Sequence, residues 1–100
     1  MDVQSAAALL AWRLVGLYDR GEAVGVDAVE RRTAEGTLFG WLGAEYDLQL
    51  GPEAEQVLAP RLRRLCEDTD PRRQFGVAHN GLALLLAWSL ALQQPDDDAP

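Results

Sequence analysis

His79 is the one side chain in this sequence that titrates near neutral pH, so it could act as a general base or as a ligand. It follows Phe75 by four residues and precedes Leu82 by three, so a helix would place all three on one apolar face. A single histidine on an apolar face is more often a core residue with one hydrogen bond, here to Asn80 or to a neighbouring carbonyl. The structural interpretation is favoured, and the catalytic one stays open.

Two arginines precede this histidine. Arg72 lies seven residues before His79 and would point nearly the same way on a continuous helix. Arg73 is separated from His79 by Gln-Phe-Gly-Val-Ala, and an arginine followed after a short gap by a histidine in an all-α domain resembles the ribonuclease signature of the HEPN family. The resemblance covers Arg73 to His79 and implies an RNA-binding or RNA-cleaving domain. In that domain Arg73 would stabilise charge and His79 would transfer a proton.

An arginine cluster surrounds the predicted turn before this segment, and it is a candidate site for an anion or an acidic partner. Its members are Arg61, Arg63, Arg64, Arg72 and Arg73. The alternative is local neutralisation by nearby acids, because exposed ion pairs are common and contribute at most about 1 kcal/mol. Those acids are Glu53, Glu67, Asp68 and Asp70.

Other signatures of catalysis or metal binding are missing from the sequence. The acid pairs Glu45 with Asp47 and Glu53 with Glu55 are two residues apart and would diverge on a helix. There is no HExxH, phosphate-binding GxxxxGK[ST] or nucleophile elbow. Cys66 is the only cysteine, so an intramolecular disulfide is impossible and a zinc site would lack a thiolate pair. We expect no cofactor and no metal, and an enzymatic role is less expected than a binding role.

Composition and charge favour a folded, acidic protein. With 48% hydrophobic and 25% charged residues, the 100-residue chain has ordinary globular values and enough length for one core. Its net charge of -7 argues against general nucleic-acid binding. The apolar N-terminal run begins with Asp2, which is unlike a signal peptide, and the run from Gly81 to Leu92 is too short to cross a bilayer. We expect a cytoplasmic protein, and the absence of lysine and isoleucine indicates a GC-rich bacterial genome.

The segment from Asp70 to Gln94 is predicted to be the central helix. Asp70 and Pro71 form a strong helix start, and from Phe75 to Leu92 the apolar side chains leave no polar stripe. A helix that is apolar all round is normally buried on all sides.

The first predicted helix runs from Asp2 to Arg20 and ends at Gly21. One stripe at a spacing of three and four comprises Val3, Ala7, Leu10, Leu14 and Leu17, and it is widened by Ala8, Trp12, Val15 and Tyr18. The apolar face is wider than one neighbour requires, so we expect contacts on two sides. The three tryptophans, Trp12, Trp41 and Trp88, are predicted to be core anchors, although one of them could line a ligand pocket.

A second helix is predicted to start at a capping box of Asp27 and Glu30, continue to Leu48 and kink at Gly36. Small side chains recur along one face of it, at Val29, Thr33, Gly36, Gly40 and Gly43, and along the last helix, at Ala83, Ala87 and Ala91. We predict that these two faces meet, or that one of them meets its copy in a second chain. The alternative is that the glycines only loosen the helix, at about 1 kcal/mol each relative to alanine.

A third helix is predicted from Pro52 to Asp68, with a kink or a break into two short helices at Pro60. Four helical segments in residues 1–94 predict a single all-α domain, either a four-helix bundle or two helical hairpins interlocked as a dimer. Residues 95–100 are predicted to be a disordered acidic tail.

The surplus of apolar helical surface predicts a function based on association. The leading hypothesis is a homodimeric interaction module, an adaptor or regulator of an unidentified protein, with no membrane partner and with nucleic acid not expected. The alternatives are the HEPN-like RNA function and a carrier of an apolar small molecule in the bundle core.

Overall fold

The computed structural model describes residues 1–68 and 80–94, and within them the backbone is helical with no strand. This confirms the prediction of an all-α fold. The helices are α1 (Val3–Asp19), α2 (Val26–Glu35), α3 (Leu38–Tyr46), α4 (Pro52–Asp68) and α5 (Gly81–Gln93).

Helix α1 begins and ends as its sequence predicts. The Asp2 carboxylate accepts a hydrogen bond of 2.6 Å from the Ser5 N–H and caps the first turn. Beyond the other end Gly21 has a φ of 72°, which a residue with a Cβ seldom adopts. The buried side of α1 consists of Ala6, Ala7, Leu10, Leu14 and Leu17.

The second predicted helix is two helices, which corrects the prediction of one helix with a kink. Gly36 has a φ of 77° and caps the end of α2, and the Thr37 N–H donates to the Arg32 carbonyl. The chain then restarts as α3. The predicted capping box at Asp27 is also wrong, because the N-cap lies two residues earlier, at Gly25, which makes no side-chain cap hydrogen bond.

Helix α4 starts at Pro52, as predicted, and its backbone stays helical past Pro60 to Asp68. The prediction of two short helices is therefore wrong. Proline interrupts only one backbone hydrogen bond, and the apolar side of α4 continues on both sides of it, with Ala54, Leu58 and Leu62 all buried.

The central helix does not run unbroken from residue 70 to residue 94, because Asn80 has an extended backbone with φ -117° and ψ 121°. Its side-chain oxygen accepts a hydrogen bond of 2.9 Å from the Leu82 N–H and caps α5. Residues 69–79 lie outside the described residues, and with them the predicted start at Asp70 and Pro71. The predicted tail, residues 95–100, also lies outside them.

The core lies chiefly between α1 and α5, which form the most extensive helix contact in the described chain. On α5 the side chains of Leu82, Leu84, Leu85 and Trp88 are completely buried. The start of α5 also approaches α2 closely. The Gly81 N–H donates to the Val24 carbonyl at 2.5 Å, and a Cβ on Gly81 would lie 2.5 Å from Val29 Cγ2. Only glycine fits there, and the sequence pattern did not reveal it.

Candidate functional site: an apolar strip on the first helix

The outer side of α1 carries large apolar side chains that no other part of the described chain covers. Trp12 is 75% exposed, Val15 44% and Tyr18 45%. These residues are spaced by three, so they lie close together on one face of the helix, and Ala8 is exposed one turn before Trp12. We call Trp12, Val15 and Tyr18 the α1 strip. The largest apolar patch on the surface of a protein is often a binding site.

The opposite side of α1 fixes the strip in its outward position. Leu10, Leu14 and Leu17 are buried against the rest of the core, so rotation of the helix would expose them. The start of α1 is also held to the start of α4, because the Met1 amine lies 2.6 Å from Glu53 Oε1. This contact raises the pKa of the amine and lowers the pKa of the Glu53 carboxyl.

The α1 strip itself is uncharged. Arg13 lies two positions before Val15, about 160° around the helix from it, and therefore points away from the strip. Asp19 follows Val15 by four positions, about 40° around the helix, so this exposed carboxylate lies at the end of the strip. A hollow of about 160 Å³ borders Trp12 and is lined in part by Gly16, Arg20 and Asp47. Trp12, Val15 and Tyr18 can therefore contact an apolar surface without desolvating a charge of their own, but Asp19 lies at the edge of that contact.

The three tryptophans have three different environments. Trp88 is completely buried, which confirms its prediction as a core anchor, and its Nε1 has no hydrogen-bond partner. Trp41 is half-buried, with its ring edge-to-face with Tyr46 at 5.6 Å and the Arg32 guanidinium 5.5 Å from the ring centre. Trp12 is exposed, so its prediction as a core anchor is wrong.

A second candidate site is an apolar cavity of about 270 Å³ between α4 and the α2–α3 connection. Leu38, Phe39, Ala59 and Leu62 supply apolar walls, and buried Thr33 also lines the cavity. The Thr33 hydroxyl donates to the Val29 carbonyl at 2.6 Å, so it has no proton left to donate to a ligand. The cavity is suited to a small apolar group.

The predicted small-residue faces do not pack together as the sequence suggested. A Cβ built on Gly36 or Gly40 meets no described atom within 4 Å, and one on Gly43 meets only the nearby Leu48 carbonyl and the Gln49 side chain. On α5, Ala83 and Ala87 are half-buried and Ala91 is exposed. That one of these faces meets a second chain stays a prediction.

The arginine cluster is described only in part. Arg61, Arg63 and Arg64 are all exposed on α4, and Arg63 Nε lies 3.3 Å from Glu67 Oε1. That pair agrees with local neutralisation for one member. Arg72, Arg73 and His79 lie outside the described residues, so the HEPN-like hypothesis stays a prediction.

The described residues offer no site for a reactive thiol or a metal. Burial, and then the charges of Glu30 and Glu67, raise the pKa of the Cys66 thiol, which disfavours a nucleophilic thiolate. No group of three or more potential ligands occurs in the described part of the chain. None of the helices described has the length and apolar character needed to cross a membrane.

Comparison with known proteins gives no family for this chain. No protein-family model matches it, and no curated protein or solved structure shows significant similarity to it. The function must therefore be inferred from the surface of the molecule.

Proposed function

We propose that this protein is an interaction module, an adaptor or regulator that works by associating with itself. The observation that supports the proposal is the α1 strip, and above all Trp12 with three quarters of its surface exposed. Tryptophan and tyrosine are enriched at the centres of protein interfaces, whereas charged residues are depleted there. The α1 strip has both properties.

In this proposal each chain is a bundle that associates through its surface, and not a pair of hairpins that interlock. The burial pattern supports the choice, because α1 and α5 already bury Leu10 and Trp88 completely within one chain. Interlocked hairpins would leave such residues exposed in the separated chain.

The first test is the absolute mass in solution by light scattering over a range of concentrations. We expect a reversible increase in mass with concentration that is abolished by the double variant Trp12→Glu, Tyr18→Glu. Leu90→Glu is the matched control, since Leu90 on α5 is 51% exposed but lies outside the strip. A wild type that stays monomeric at every concentration contradicts the proposal, as does a control variant with the same effect.

The cavity beside Phe39 supports a second candidate function, the carriage of an apolar small molecule. Its volume of about 270 Å³ admits a small apolar ligand or part of a larger one. A neutral naphthylamine dye should then show enhanced fluorescence with the wild type. Ala59→Phe, which places a ring in the cavity, should remove that enhancement, whereas Ala44→Phe on the exposed side of α3 should leave it unchanged. Equal fluorescence with all three proteins contradicts this function.

A further inference from the structure

The apolar cavity between α4 and the α2–α3 connection has a single charged side chain among its described lining residues, that of Arg63. Arg63 is the last residue of α4 to reach the cavity, after Ala59 and Leu62, so its charge lies toward that end. The side chain is 58% exposed, which places the guanidinium at the mouth of the cavity and not in its interior. An apolar wall with a cation at its mouth is suited to a ligand that has an apolar chain and an anionic head.

Two other polar groups in the wall already donate within the chain. The Thr33 hydroxyl donates to the Val29 carbonyl, and the Gly36 N–H donates to the Thr33 carbonyl at 3.2 Å. Pro60, which also lines the cavity, has no N–H. Among these groups Arg63 alone has donors left for a ligand, and they favour an acceptor that carries negative charge.

The first turn of α3 adds to the positive potential at the cavity. Leu38 and Phe39 line it, and their N–H groups have no acceptor within the described chain. The N-cap residue Thr37 leaves them uncapped, because its hydroxyl donates to Glu35 Oε2 at 3.5 Å. The first N–H groups of a helix carry partial positive charge, so they strengthen the preference for an anion that Arg63 sets.

The opposite end of the cavity carries the opposite charge. There a shallower hollow of about 290 Å³ shares Phe39 and Ala59 with the cavity and extends along α4 to Glu55. An anionic head would be repelled near Glu55 and attracted near Arg63. The two ends therefore determine the direction of the ligand, with its head at Arg63 and its chain pointing toward Phe39.

We propose that this cavity binds a free aliphatic carboxylate, with the carboxylate on Arg63 and the chain between Phe39 and Leu62. The inference rests on the second candidate function, the carriage of an apolar small molecule, and names its class of ligand. The cavity has a volume of about 270 Å³. A water molecule occupies about 30 Å³ and a methylene group has about the same size, so the chain has roughly eight to ten carbons.

Two features oppose the binding of an anion, and neither removes the site. Glu67 Oε1 lies 3.3 Å from Arg63 Nε, but both side chains are more than half exposed, so the pair is weak. A guanidinium has five N–H donors, and a contact at Nε leaves others for a carboxylate. The net charge of -7 is distributed over the chain and is screened beyond about 8 Å at physiological salt. No aspartate or glutamate is among the described residues that line the cavity.

Isothermal titration calorimetry at pH 8 tests the head group, because octanoate and 1-octanol have chains of the same length. The wild type should bind octanoate about tenfold more tightly than 1-octanol, since a hydrogen bond from Arg63 is charge-assisted on both sides only with the carboxylate. Arg63→Gln should reduce this ratio to about one. Arg31→Gln is the matched control, because Arg31 on α2 is exposed and does not line the cavity, and it should keep the ratio unchanged.

The same measurement with butyrate tests the chain. Butyrate keeps the carboxylate but lacks four methylene groups, so it should bind at least about tenfold more weakly than octanoate. Ala59→Phe, which fills the cavity, should remove the binding of octanoate, whereas Ala44→Phe on the exposed side of α3 should leave it unchanged.

The outcomes separate this inference from the function beneath it. Equal binding of octanoate and 1-octanol by the wild type, with both lost in Ala59→Phe, overturns the carboxylate while the carriage of an apolar molecule stands. A preference for octanoate that survives Arg63→Gln or is lost equally in Arg31→Gln overturns the inference, as does butyrate that binds as tightly as octanoate. If the naphthylamine dye binds and octanoate does not, the inference alone falls. If neither binds, the carrier function falls with it.

A wild type that prefers octanoate, a ratio near one in Arg63→Gln and an unchanged ratio in Arg31→Gln together support both the carrier function and its ligand class.

Discussion

Helices α1 and α5 have similar sequences in one respect, since both carry apolar side chains around most of their circumference, but the fold treats them differently. Helix α5 is covered over most of its length, with Trp88 completely buried, and only near its end does a large apolar side chain, Leu90, become exposed. Helix α1 is covered on one side, and Trp12 remains 75% exposed. The number of apolar side chains on a helix thus sets how much surface it can bury. The helices packed against it decide how much of that surface is buried within one chain. The uncovered part is the candidate for binding.

The largest expected difference is between the two tryptophans. Trp88→Ala should lower the free energy of unfolding by about 3 to 5 kcal/mol, because it removes a buried ring and leaves a cavity. Trp12→Ala should change it by less than about 0.5 kcal/mol at concentrations where the chain is monomeric. Urea denaturation of dilute protein measures both. A loss of several kcal/mol with Trp12→Ala would show that the chain itself covers the strip.

The glycines of the two helices should respond to the same substitution with opposite signs. Gly81→Ala should destabilise the fold by about 2 kcal/mol, because its Cβ would overlap Val29 and the Gly25 carbonyl at the start of α5. Gly16→Ala on α1 meets no described atom within 4 Å and should stabilise the protein by about 0.5 to 1 kcal/mol. Thermal unfolding of both variants checks the pair. Equal effects would mean that α5 does not approach α2 closely.

Gly40 and Gly43 on α3 allow a smaller test, which asks whether this helix also contacts a second chain. Gly40→Ala should stabilise dilute protein by about 0.5 to 1 kcal/mol, since alanine is the better helix former and the space is open. The measurement is the urea midpoint at low and at high protein concentration. A loss of stability that appears only at high concentration would show that this face, and not only the α1 strip, contacts a second chain.

The smallest expected effect is a dependence of α1 on pH. The hydrogen bond from the Ser5 N–H lowers the pKa of the Asp2 carboxyl below its ordinary 3.8. A carboxyl whose pKa is lower in the folded state stabilises the fold above its unfolded pKa, and this contribution is lost as the pH falls through the folded value. Asp2→Asn keeps a capping side chain but should remove that part of the acid sensitivity.

Glu53 can be compared with Asp2 at low pH, because the pKa of its carboxyl is also lowered, here by the Met1 amine. Glu53→Gln should remove a separate part of the acid sensitivity. Urea midpoints from pH 6 to pH 2 measure both variants. If neither variant changes the slope, these contacts do not persist in solution.

Local signals predicted the helical content and several helix ends. Asp2, Gly21 and Pro52 act locally, because each satisfies or restricts only a few neighbouring backbone groups. The errors came where a longer-range choice was needed. Gly36 ends α2 in the left-handed conformation, and nothing in the periodicity distinguishes that from a kink. Asn80 caps α5 although the apolar pattern continues through it.

The candidate site could be predicted only in part. The width of the apolar face on α1 was evident from the spacing of Trp12, Val15 and Tyr18, since helical geometry alone places them together. The sequence does not show which side of that face is buried, and its prediction of Trp12 as a core anchor is wrong for that reason. Indole and leucine side chains both gain free energy on leaving water, so hydrophobicity alone does not show which of them the fold buries.

What the sequence by itself determined is an all-helical chain with more apolar surface than one neighbour per helix can cover, because helix formation and capping depend on residues within a few positions. Only the tertiary structure decided which of that surface remains in water. The close approach at Gly81 brings α5 against α2, and the packing of Leu10, Leu14 and Leu17 turns the other side of α1 outward. The exposed surface depends on how all the helices pack together, so it cannot be predicted from any single segment.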